Sequence, residues 1–175
     1  MRLLIAALSF VLAVSTAQAK QLTDLYQAEV PAGQPQAVWQ QQALAQVLVK
    51  VTVNPAVVEQ GAIKAELKNA GNYIKTFAAV SSEQGPALKV GLDEQKIQQL
   101  LSRNQIAIWG ARRPAIVLWP VEQTAENRVF MQGSTHPVLS QLLQQSKAIG
   151  LPLELPTAND SFTPVLSQDE VWAGN

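Results

Sequence analysis

Polar and apolar residues alternate from Tyr26 to Val30, with Gln27 and Glu29 between the apolar positions. A period of two marks a half-buried strand, and Pro31, Gly33 and Pro35 end it. From Gln36 the period changes: Val38, Leu44, Val47, Leu48 and Val51 fall at helical spacing and form one apolar stripe. Asn54-Pro55 stops this helix, because proline disfavours α geometry in the residue before it. A second helical region runs on from Pro55, divided at Gly61 and capped at Gly71. Tyr73 and Phe77 then begin a strand that reaches Val80; Ser81 to Pro86 is a turn, and Ala87 to Leu92 is the returning strand. Asp93 suits a helix N-cap, and the helix after it buries Ile97, Leu100 and Leu101.

The most strongly written passage is IWGARRPAIVLWPV, Ile108 to Val121. GARRP interrupts it, and the unbroken apolar run Ala115 to Trp119 predicts a central strand covered on both faces. Glu122 to Arg128 is a polar turn, with Val129 to Met131 as a paired strand beyond it. Pro137 fits the first turn of a helix that buries Val138, Leu139, Leu142, Leu143 and Ile149 and closes at Gly150. Leu151 to Pro156 reads as a further short strand. Strands alternating with helices predict an α/β fold, a small layered sheet of mixed strands with helices packed on it, in one domain over residues 20–156. Residues 157–175 show no period. Val171 and Trp172 are apolar yet close to the last residue, so this part reads as an irregular tail or the start of a segment cut short at the C-terminus.

The leader changes the picture most. Arg2 is a short positive region, Leu3 to Val14 is apolar, and Ala17-Gln18-Ala19 fits the small-x-small cleavage pattern. The apolar run is too short for the roughly 20 residues a spanning helix needs. The expectation is a signal peptide over residues 1–19, cut before Lys20, and a periplasmic product without a transmembrane segment. Formal net charge is +0 and only Arg2 leaves with the leader, so nothing electrostatic points to nucleic acid or an anionic membrane as partner. The chain has no cysteine, which excludes disulfides, thiol catalysis and thiolate metal sites.

Candidate chemistry is sparse. No dinucleotide-binding, phosphate-loop, nucleophile-elbow or zinc-protease motif occurs, so the expectation is no catalytic residue, no metal and no cofactor. His136 is the lone histidine, and Ser134 beside it does not amount to a triad. GSTHP reads first as a loop and helix start; read for function, Ser134, Thr135 and His136 would offer donors to an anion at a positive helix end. Arg112 and Arg113 read first as solvated charges on a turn fixed by Pro114; read for function, they would grip a phosphate or carboxylate by forked hydrogen bonds. Asp93-Glu94 is explained by helix capping. Two functions follow: a non-enzymatic module that binds an envelope protein or component through an exposed edge or apolar patch, or a hydrolase or transferase with an unfamiliar site near His136 and Arg112/Arg113.

LYQAEVP, ALAQVLVKVT, WGARRPAIVLW, HPVLSQLLQQSKAIGLPL and DEVWAGN, in that order, resemble the exported Gram-negative proteins of the domain of unknown function family 2066. The resemblance implies an envelope protein with an α/β fold and no assigned activity or site residues. Val53 departs from it, standing where that family often has glycine, and the chain stops at Asn175 where members continue.

Overall fold

The computed structural model describes residues 19–82, 85–125, 127–131, 136–156 and 167–174. In chain order the elements are β1 (Ala19–Gln21), β2 (Gln27–Pro31), α1 (Gln36–Thr52), a 3-10 turn at Pro55–Glu59, α2 (Gly61–Leu67) and a second 3-10 turn at Ala70–Tyr73. Then follow β3 (Ile74–Ser82), β4 (Gly85–Leu92), α3 (Glu94–Arg103), β5 (Arg112–Pro114), β6 (Ile116–Val117), β7 (Val121–Gln123), β8 (Arg128–Phe130), α4 (Pro137–Ala148), β9 (Leu153–Glu154) and α5 (Gln168–Ala173). The fold is mixed α/β, built on small sheets.

The main sheet is antiparallel, in the order β2-β4-β3. Its register puts Ala28, Val30, Leu88, Val90, Phe77 and Ala79 on one face. Against that face α1 turns Trp39, Ala43, Leu44, Val47, Leu48 and Val51, all buried, and lies mainly over β2. Val57, Ile63, Ile97, Leu100 and Leu101 complete the core. Each fully buried leucine, isoleucine or valine contributes roughly 1.5–3 kcal/mol, so this N-terminal body holds most of the packing energy.

Local signals set most boundaries. Asp93 caps α3 by accepting the Lys96 N–H at 3.2 Å. Gly71 does not cap α2, whose C-cap is Lys68, and lies instead in the second 3-10 turn. Val53 ends α1 in the left-handed region, at φ 53°, with its N–H bonded to the Val49 carbonyl.

The C-terminal half departs from expectation. The run Ala115 to Trp119 is not a central strand. Only Ile116 and Val117 pair, in parallel with the two residues of β9, and they are 40% and 48% exposed. Among the described residues no further strand joins this two-residue ladder, and apolar composition alone did not bury it. On α4 only Leu139 of the expected apolar set is fully buried, while Val138 is 61% exposed and Ser146 is buried in its stead. The tail is not irregular throughout. Ser167 and Glu170 form a capping box that starts α5, so Asp169 and Glu170 lie on a helix. Arg128 pairs with Asp169 at 2.8 Å and lies over the Trp172 ring. Among the described residues no helix is long and apolar enough to cross a membrane.

Tyr73 offers a pH test of the N-terminal body. Its hydroxyl donates to Glu66 Oε2 at 2.9 Å. Burial first, and that hydrogen bond second, push the phenol from 10.0 up to about 12. The folded state therefore keeps a proton that the unfolded chain releases. The stability this confers is whole below pH 10 and is lost as pH rises towards 12. Urea midpoints measured across that window are expected to fall less for Tyr73→Phe than for the parent. The half-buried Lys50, whose lowered pKa acts in the opposite sense, is common to both proteins.

Candidate functional site

The passage GARRP is where the sequence placed its sharpest question. β5 pairs with β1, setting Arg113 opposite Lys20 and Arg112 opposite Gln21. Successive strand residues point to opposite faces. Arg112 is exposed, and Arg113 is 0% exposed.

Arg113 spends its guanidinium on backbone. Nε donates to Gly110 O at 3.0 Å, and Nη2 donates to Lys50 O at 2.8 Å and Trp109 O at 2.7 Å. Nη1 donates to Gly150 O, and the group lies 4.7 Å from the centre of the Trp109 ring. Among the described residues no carboxylate forms an ion pair with it. A buried cation without a counter-ion needs another source of negative potential. Two helix ends supply it. Lys50 is in the last turn of α1 and Gly150 follows the last turn of α4, and the C-terminal end of each helix carries partial negative charge. Burial pulls the guanidinium's pKa below its ordinary value, but arginine starts so basic that it stays charged.

The same contacts complete the two helices. At the end of α1, Val49 O accepts from Val53 N–H, Lys50 O from Arg113 and Val51 O from Trp109 N–H at 2.8 Å. At the end of α4, Leu151 N–H bonds Ser146 O and Gly150 N–H bonds Lys147 O, with Gly150 left-handed at φ 74°. Arg113 is therefore a bolt through three backbone segments, not the solvated turn charge that the sequence suggested. Its donors are committed to carbonyls rather than turned to a ligand.

The remaining candidates do not gather around it. His136 is the N-cap of α4, its Nδ1 accepting the Val138 N–H at 3.3 Å. Arg113 grips the other end of that helix, roughly 18 Å away at 1.5 Å per residue. Ser134 and Thr135 lie outside the described residues.

A different surface, which the motif reading did not isolate, has the properties of a binding site. β3 is an edge strand: β4 pairs with one side, and no other described strand pairs with the second. It is nine residues long, IKTFAAVSS, and Lys75 is its single charge. A register shift between Ile74 and Thr76 puts that lysine at an irregularity near the start. Edges are normally guarded by charge, proline or a bulge, and here the guard stops before Thr76. The helix layer also stops short. Phe77 faces the side of the sheet that α1 covers, yet it is 62% exposed, and its ring meets Trp39 with ring centres 5.3 Å apart. Val38, on the first turn of α1, is exposed as well. Phe77 is thus an exposed apolar side chain beside a ladder that no described strand continues. Sequence reasoning found the strand. It had no signal for where α1 would end relative to it.

A mixed α/β body with an unguarded sheet edge is the class of protein that these features define. The chain belongs to the family described as a domain of unknown function, DUF8605, whose model matches residues 19–110. Neither a curated protein nor a solved structure matches it. This finding overturns the resemblance to family 2066. The passages that carried that resemblance are mostly apolar periodicity, which unrelated α/β cores share, and what it implied about Val53 and about members continuing past Asn175 falls with it.

Proposed function

We propose that the chain is an exported periplasmic module that works by binding rather than by catalysis, adding an extended segment of an envelope protein to the open edge of β3. Export rests on the leader pattern of residues 1–19. Binding rests on one observation, the uncharged outer edge Thr76–Val80, with which no described strand pairs, and Phe77 exposed beside it. Strand addition uses such an edge: main-chain hydrogen bonds give affinity, and a side chain on alternate positions gives selectivity. Phe77 and Trp39 would receive that side chain.

A photo-crosslinking amino acid in place of Phe77, in cells that make the protein, tests this. The expected result is an adduct of defined mass, absent when the crosslinker replaces Gln99 on α3 and lost when Thr76 and Ala78 are both changed to lysine. No adduct at position 77, or an equal one at position 99, would count against the reading.

A further inference from the structure

We propose that the cavity between the ends of α1 and α4 binds a medium-chain aliphatic carboxylate, its chain against leucines and its head between Lys50 and Lys147. The site does not depend on the β3 edge. Its volume is about 290 Å³. An apolar cavity of about 150 Å³ holds one benzene ring, so this one takes a chain of roughly eight carbons and a head group.

The wall is aliphatic: Leu22, Leu25, Leu143, Leu151 and Leu153. Two lysines, Lys50 and the exposed Lys147, and one acidic residue, Asp24, also line it. The Lys50 side chain is 12% exposed; Nζ donates to Gln27 O at 2.9 Å and is 3.7 Å from Asp24 Oδ2. Among the described residues the Lys147 ammonium makes no hydrogen bond or ion pair. Lys147 thus leaves one positive charge at the cavity unmatched. Burial holds the Lys50 amine below its ordinary pKa against the pull of Asp24, and Lys147 repels it in the same direction. A ligand carboxylate would relieve that repulsion while its chain covers the leucines. The partial negative charge of the two helix ends nearby is already met by Arg113. A neutral amphiphile gains only the apolar contacts, and a short carboxylate only the ionic ones, so the site should demand both.

The test titrates the full mature chain with octanoate, 1-octanol and acetate by calorimetry. Octanoate is expected to saturate at one per chain, with both other probes at least about tenfold weaker. Lys147→Met, at an exposed position, should weaken octanoate about tenfold and leave octanol unchanged. Leu143→Trp, filling the cavity, should abolish binding of octanoate; thermal melts of both variants establish that they fold. Octanoate that never saturates, octanol that binds as tightly, or an unchanged affinity in Lys147→Met would each overturn the proposal.

Discussion

Replacing Arg113 with methionine is expected to lower the unfolding free energy by about 4 kcal/mol, the largest loss from any single side chain outside the aliphatic core. Methionine is shorter but follows the path of the arginine stem, so the stem's packing is largely kept and the effect comes mainly from loss of the guanidinium. Four carbonyls, those of Lys50, Trp109, Gly110 and Gly150, lose their donor at once. An acceptor left buried and unmatched costs about 1–3 kcal/mol, and water re-entering from the exposed side of Gly110 will spare part of the total. Small domains have only about 5–15 kcal/mol in hand, so much of the stability would go. Arg113→Lys should recover about half of the loss, because an ammonium keeps the charge between the two helix ends but lacks the planar fork. Urea unfolding of the mature chain measures both. A loss below about 1 kcal/mol for the methionine variant would mean that the carbonyls are satisfied without the guanidinium.

The second large effect is expected at Gly150, where alanine should cost about 3 kcal/mol. Its φ of 74° is strained for any residue with a Cβ. A Cβ there would also stand 2.5 Å from Arg113 Nη1 and 3.1 Å from Lys50 O. The far end of an arginine can usually swing aside, but this one is fixed by three other carbonyls. Gly33 separates the two causes. It has a similar φ of 84°, and a Cβ there would meet nothing within 4 Å, so Gly33→Ala should cost only about 1–2 kcal/mol. Combining Gly150→Ala with Arg113→Met should cost less than the two losses added, because the atom the new methyl would strike has gone. Strict additivity would show that the two residues do not meet.

Arg113 also marks where sequence reasoning ends. The N-terminal body was legible because its signals are local. The alternation at Ala28 and Val30, the stop at Asn54-Pro55, the Asp93 cap and the hairpin from β3 to β4 each lie within a few residues of what they specify. The capping box of Ser167 and Glu170 is equally local and open to the same reading, although the tail around it shows no period. By contrast, the bolt depends on partners far along the chain, at Lys50 and Gly150. The general rule that arginine stays at the surface points the wrong way when two helix ends converge. Ile116 and Val117 failed for the complementary reason: their composition is that of a buried strand, but burial needs neighbours that the short β9 does not provide. The exposure of Phe77 is likewise a matter of how far α1 reaches across the sheet, which no periodicity encodes.

Whether the second arginine of GARRP serves the fold or a ligand is tested most directly by side-chain nitrogen NMR of Arg113 in the mature chain, with Arg112 as the exposed reference. The predicted result is a set of resolved Nε and Nη protons on Arg113 that exchange slowly with water and do not shift on adding phosphate. Rapid exchange like that of Arg112, or a shift that saturates with phosphate, would contradict it.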